Sequence, residues 1–152
     1  MADEIAIASP TEAVHQFSVF VPNRMGRMFQ VVHMLAGREV HVMALCVLDT
    51  TDSTILRFVV DDPGRARALL DEHALPFTEN SVVCVEFDYE HQLREVLSAL
   101  LEAELNLHYV YPFLIRPGSK PALVLSLESP DVAEESLRRH QFRVLYQADI
   151  SR

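Results

Sequence analysis

The stretch VFVPNRMGRMFQVVHMLAGREVHVMAL, residues 19–45, decides the reading of the chain. Phe17, Val19 and Val21 alternate with Ser18 and Phe20, the period of a β-strand with one buried face. Pro22 ends that strand, and Asn23, Arg24, Met25 and Gly26 form a short loop whose glycine lets the backbone come close to something else. Met28, Val31, Val32 and Leu35 then fall at i, i+3, i+4 and i+7, which predicts a helix over residues 26–36. Gly37 is the expected helix stop. Val40, Val42 and Ala44 open the next strand.

The pattern continues outward in both directions. Residues 49–53, DTTDS, carry turn chemistry, and residues 54–60 form a third strand, so a hairpin is expected. Asp62 can cap a helix whose first position is Pro63 and whose buried side carries Ala66, Leu69 and Leu70. His73 lies near its end, and residues 75–78 give a short fourth strand. The order is βαββαβ. From residue 81 it starts again: Val83, Val85 and Phe87 alternate, and Leu93, Val96, Leu97, Leu100 and Leu101 make a helical stripe. Leu105, Leu107, Tyr109 and Tyr111 alternate, a turn follows over residues 116–120, and Leu123, Leu125 and Leu127 alternate. Ser129 and Pro130 open a helix that ends near His140, and residues 142–146 close the series.

The two halves keep register. Met28, Val31, Leu35, Val40 and Val42 map onto Leu93, Val96, Leu100, Leu105 and Leu107 at a constant offset of 65 residues. Asp62 and Pro63 map onto Ser129 and Pro130 at an offset of 67, because the second hairpin is two residues longer, and His73 then falls on His140. Such a repeat is an architectural signal. It predicts an α+β fold of two tandem ferredoxin-like βαββαβ units with antiparallel sheets, at residues 15–80 and 81–152, after an N-terminal tail over residues 1–14 in which Ile5 and Ile7 can pair as an edge strand. Open edges and uncovered sheet faces require the units to pair with each other, edge to edge or face to face. Tyr109, Tyr111 and Phe113 mark a sheet surface for a partner to cover, and Pro112 predicts a bulge or an edge. The first helices of the two units are expected on the same side of one continuous antiparallel surface.

A chain of 152 residues can bury roughly 70% of its unfolded surface, so a core needs no staples. Hydrophobic residues make up 49% and charged residues 23%, a globular balance. A net charge of −9 argues against nucleic acid and anionic membrane surfaces. Cys46 and Cys84 sit in apolar strand patterns and are expected to be buried free thiols. The first residues lack signal-peptide character, and no apolar run reaches the roughly 18 residues of a membrane span, so a cytoplasmic location is expected. The seven histidines do not cluster, and no CxxC, HxH or HExxH spacing occurs, so neither metal nor cofactor is expected. Nucleophile and nucleotide motifs have no counterpart.

The segments 21–45, 58–75 (FVVDDPGRARALLDEHAL) and 85–113 (VEFDYEHQLREVLSALLEAELNLHYVYPF) together resemble a tandem pair of ACT domains over residues 16–148. Related pairs resemble the small regulatory subunit of acetolactate synthase and the glycine cleavage regulators. The resemblance implies a non-catalytic module that binds a small amino acid between paired ACT units on behalf of a partner enzyme of amino-acid metabolism. It also implies a composite site, with a loop from one unit and a polar strand start from the other. The first unit keeps the loop, and the second keeps the strand-start asparagine, Asn106 in LNL, where the first has His41 in VHV. The expected site is therefore Asn23, Arg24, Met25, Gly26, Arg27 and Met28 facing Asn106, Leu107 and His108. The reciprocal site, Asp88 to His91 with His41, is acidic, lacks a glycine and is expected to be degenerate. Free N–H groups at a helix start suit a carboxylate, and Asn23 offers both a donor and an acceptor. The plainer alternative is that Asn23 only starts a turn and Asn106 only closes one. Exposed edges also predict a homodimer. An acylphosphatase-like enzyme would use an arginine in the region of Arg24 and Arg27, but its glycine-rich loop is missing. A further alternative is a ligand-free pairing module that only docks on another protein.

The helical stripe yields a direct check. Leu100→Ala should lower stability by about 2–5 kcal/mol in denaturant unfolding, the usual range for a truncated core leucine; a change within error would mean that the stripe does not face the core.

Overall fold

The computed structural model describes residues 10–22, 26–89 and 92–151. Ile5, Ile7 and most of the expected tail lie outside them, and Val14 already belongs to the first strand. The elements run β1 (Val14–Pro22), α1 (Arg27–Ala36), β2 (Val42–Asp49), β3 (Ser53–Val60), α2 (Pro63–Glu72), β4 (Phe77–Glu86), α3 (Leu93–Glu102), β5 (Leu107–Pro112), β6 (Ala122–Leu127), α4 (Pro130–Arg139), β7 (Arg143–Leu145) and α5 (Gln147–Ile150).

Both halves have the same strand order. β4-β1-β3-β2 makes the first sheet and β7-β4-β6-β5 the second, all antiparallel. One strand serves both. Residues 77–82 of β4 pair with β1, and residues 83–86 pair with β6. The expected fourth strand and the strand after it are thus a single element, and the divide placed between residues 80 and 81 falls inside it. The reason is local: residues 77–86 contain no glycine or proline to interrupt an extended backbone.

Alternation along β4 then organises the interior. Phe77 packs with the helices of the first unit, and Val83 and Val85 with those of the second, so both helix layers cover the same face of the strand. Val82 and Cys84 point the other way, into a third cluster between the two sheets. That cluster takes Val14, Ala44 and Val59 from the first unit, and Tyr111, Phe113, Val124 and Leu145 from the second. The units therefore pair face to face, and Tyr111 and Phe113 are covered by their own chain. The end strands β2 and β5 also touch, through an antiparallel bridge from Ala44 to Phe113 and a 2.7 Å hydrogen bond from the Leu114 N–H to the Met43 carbonyl. Pro112 ends the edge strand β5, whose bulge lies instead between Leu107 and Tyr109.

A polar network sits inside this otherwise apolar interface. Gln16 is fully buried. Its Oε1 accepts from the Tyr111 hydroxyl at 2.6 Å, and its Nε2 donates to the Tyr109 hydroxyl at 2.7 Å. Burial pushes the Tyr111 phenol well above its ordinary pKa, so it stays a donor. Gln147, also buried, receives the His15 N–H on its Oε1 at 3.0 Å and donates from its Nε2 to the Val60 carbonyl at 3.2 Å, tying the C-terminal end back to β1 and β3. The short helix α5 that carries Gln147 has no apolar period of its own to announce it in the sequence.

The repeat is most exact at the helix ends. Gly37 is right-handed (φ −66°), and the reversal after α1 occurs at Glu39 (φ 58°). Its repeat partner Glu104 (φ 56°) does the same after α3, and Ala74 (φ 53°) and Gln141 (φ 68°) do so after α2 and α4. None of the four is glycine, so packing of the following strands holds a backbone that L-residues resist. His73 and His140 occupy matching positions, each ring Nδ1 bonding the carbonyl four residues back, at 2.9 and 2.8 Å.

The Gln16–Tyr111 pair should show coupling. Gln16→Leu and Tyr111→Phe each leave a buried polar group unpaired and should each cost about 1–3 kcal/mol, whereas the double variant should cost clearly less than the sum. Strict additivity in urea melts would show that the contact carries no energy.

Candidate functional site

The site expected from the sequence begins where β1 hands over to α1. Asn23, Arg24 and Met25 lie outside the described residues. Gly26 is left-handed (φ 94°) and precedes the helix; a Cβ there would meet nothing within 4 Å, so its requirement is conformational. The α1 start has no side-chain cap among the described residues, and the Gly26 carbonyl accepts from Gln30 N–H at 2.9 Å. Arg27, Met28 and Phe29 are exposed, with Arg27 reaching the Gln30 side chain at 3.4 Å. Among the described residues, no side chain occupies the first-turn amides, where the helix dipole favours an anion.

Asn106 has a partner in its own unit. Its backbone N–H and its Nδ2 both point at Glu128 Oε1, at 3.4 and 3.3 Å. The repeat places His41 opposite Asp61 in the same way, with the His41 N–H donating to Asp61 Oδ1 at 2.8 Å and the ring Nδ1 bonding Oδ2 at 2.7 Å. Asn106 and His41, expected to differ, thus do the same local work: each fastens a helix-to-strand turn to a carboxylate beyond the neighbouring strand. Leu107 starts β5 and packs with the second helix core, and His108 is exposed at the bulge. Among the described residues, no hydrogen bond joins Gly26, Arg27 or Met28 to Asn106, Leu107 or His108.

The loop of the second unit differs from the first in a way the sequence hinted at. The Gln92 side chain folds back, and its Oε1 accepts from Asp88 N–H at 2.7 Å and Tyr89 N–H at 3.3 Å. Those amides are spent on the chain itself. Asp88 is also paired with Lys120 at 2.7 Å. Glu90 and His91 lie outside the described residues. Beside this loop opens a cleft of about 490 Å³, lined by Glu86, Asp88, Gln92, Lys120, His140 and Arg143 among others. Its charges are largely matched internally: Arg143 reaches Glu86 at 3.6 Å, and His140 reaches Glu102 at 2.8 Å. Gln92 was legible as a polar residue four after Asp88; Lys120 and Arg143 come from distant hairpin and strand positions that spacing does not connect.

No group of three or more histidine, cysteine, aspartate or glutamate side chains among the described residues could hold a metal ion. No helix among them is long and apolar enough to cross a membrane. Cys46 is half-buried and Cys84 buried, both free, and burial pushes the Cys84 thiol far up.

A doubled βαββαβ unit with its two sheets packed face to face defines a class of paired ferredoxin-like modules. The chain belongs to the ACT domain pair family, which matches it over residues 12–152. Among solved structures it is similar to protein BT0572 from Bacteroides thetaiotaomicron, with 26% identity and a TM-score of 0.83 over 93% of this chain and 98% of that one. It also shares the fold of the ligand-free regulatory subunit of aspartate kinase from Thermus thermophilus, at 15% identity and a TM-score of 0.61 over 85% of this chain and 91% of that one. The corresponding subunit from Thermus flavus is 13% identical, with a TM-score of 0.55 over 84% of this chain and 93% of that one. No curated protein matches the sequence.

His140, on the rim of the charged cleft, should titrate above the ordinary imidazole value of about 6.5. Its hydrogen bond to the Ser136 carbonyl, and then Glu102, favour the protonated ring. A raised pKa in the folded state means that the stabilisation is complete below the unfolded value and fades as pH rises through the folded one. Proton NMR should find the midpoint raised in the native chain and lowered by Glu102→Gln; an ordinary midpoint in both would show that the ring is not held by these partners.

Proposed function

We propose that this chain is a non-catalytic regulatory module that binds a small amino acid, carried by a homodimer in the cytoplasm and serving a partner enzyme of amino-acid metabolism. The observation that carries this reading is the exposed start of α1 behind the left-handed Gly26, without a side-chain cap among the described residues, in a chain of the ACT domain pair family. Asn23, Arg24, Met25, Gly26, Arg27 and Met28 take the ligand's charged end, with Asn106, Leu107 and His108 as the opposing wall. Gln92 supports one site per chain rather than two, because it uses up the amides of the second loop. The homodimer reading rests on the edge of β5, which pairs along its length with β6 alone among the described strands. Residues 15–80 and 81–152 act as the two ACT units, sharing β4.

A specific observation favours a second reading, in which the pair docks on a protein without binding a small ligand. Asn106 is engaged by Glu128 just as His41 is by Asp61, so a structural role accounts for it.

Calorimetry and thermal shift with the standard amino acids separate the two. Binding to the native state raises stability by about 2.7 kcal/mol at 100 times Kd. The ligand reading expects one site per chain. Asn23→Ala and Asn106→Ala should each weaken binding by one to two orders of magnitude, because a hydrogen bond to a charged group is worth about 1.5–3 kcal/mol. His41→Ala should leave affinity unchanged. Flat melting curves at millimolar ligand select the docking reading; two equal sites per chain would refute the inequivalence of the loops.

A further inference from the structure

The inner face of the first sheet presents three cross-strand rows. Ala44, Val59 and Gln16 stand side by side; then Cys46, Arg57 and Ser18; then Leu48, Ile55 and Phe20. The first row is fully buried against the second sheet. In the last, Phe20 is 38% and Leu48 44% exposed. The two sheets thus splay apart along the strands, and Arg57 stands at the base of the wedge between them.

Arg57 is held but not paired. Its Cζ lies 4.3 Å from the centroid of the Tyr109 ring, which the opposite sheet supplies. Its Nε is buried without a hydrogen-bond partner, and among the described residues no carboxylate forms an ion pair with it. A guanidinium partly withdrawn from water is costly to leave unpaired, and the face of an aromatic ring offsets only part of that cost. The fixed fork of donors matches a carboxylate.

We propose that this wedge binds a small monocarboxylate with an apolar tail, its carboxylate on Arg57 and its tail on Ile55, Leu48 and Phe20. Rows two residues apart along a strand are separated by about 7 Å, the span of about five carbon–carbon bonds. Ser18 and Cys46, which flank Arg57, carry no negative charge to receive an α-ammonium group. The site therefore favours a deaminated acid over the amino acid itself. It uses residues other than those of the α1 loop and does not rest on the amino-acid reading.

The test is titration calorimetry of the full chain with 4-methylpentanoate, set against leucine, isopentylamine and inorganic phosphate. One molecule of 4-methylpentanoate should bind per wedge, with amine and phosphate weaker. Arg57→Met should weaken it about tenfold or more, the loss of a charged hydrogen bond, and should melt no lower than the parent chain, because it removes an unpaired cation. Leu48→Gln, an exposed change, should weaken binding without altering the fold. Asn23→Ala should leave this affinity unchanged, which separates the wedge from the loop. No binding of 4-methylpentanoate, equal binding of the amine or phosphate, or unchanged affinity in folded Arg57→Met or in Leu48→Gln would overturn the proposal.

Discussion

The structure depends on β4 being one strand with two sets of neighbours. Its residues 77–82 complete the first sheet and residues 83–86 begin the second. A shared strand leaves no linker with which to orient the units freely. The helices must lie on one face of it, and whatever points from the other face must be buried where the two sheets meet. Val82 and Cys84 are those residues, and the cluster around them is the core that makes two units one molecule. Most of its area is apolar, which supplies the driving force. Gln16, with Tyr109 and Tyr111, supplies direction: buried donors and acceptors tolerate far less slippage than methyl groups do.

The repeat has been kept in unequal measure. Backbone chemistry at the helix ends is nearly identical, down to left-handed residues that are not glycine and histidines bonded to the same carbonyl position. The turns after the first helices are anchored alike by Asp61 and Glu128. The loops before those helices are not alike. One ends in a left-handed glycine at the helix start, and in the other Gln92 folds back on the Asp88 and Tyr89 amides while Lys120 pairs with Asp88. Features that every unit needs in order to fold are duplicated, and the divergence is concentrated at exposed loops, where a change costs little stability and can alter what is bound.

Sheet twist gives the pair a second asymmetry. Two twisted sheets packed face to face cannot stay in contact along their whole length. They meet closely around Gln16 and Val59 and part towards Phe20 and Leu48. Arg57 stands at the point of parting with its Nε buried and its guanidinium over the Tyr109 ring, and among the described residues no carboxylate forms an ion pair with it.

Much of this was legible in the sequence, because the relevant physics is local. Periods of two and near 3.6 place the two six-element runs, and a constant offset of 65 residues shows that they are copies; the buried stripe of Val31 and Leu35, repeated at Val96 and Leu100, follows from spacing alone. The positions of Gly26 and of the Pro63 and Pro130 helix starts were likewise set by residue type. Other features were decided only when distant segments met. Strand alternation says that a face is apolar, not what covers it, so Tyr111 could not be assigned to its own chain. The partners of Asn106 and Gln16 lie 22 and 95 residues away in sequence. Arg57 looks like any strand arginine until the opposite sheet brings Tyr109 over it. Local propensity determines which elements form, because its terms act within a few residues. The pairing of surfaces is a property of the folded chain, because burial and hydrogen-bond satisfaction are settled between residues that only the tertiary structure brings into contact.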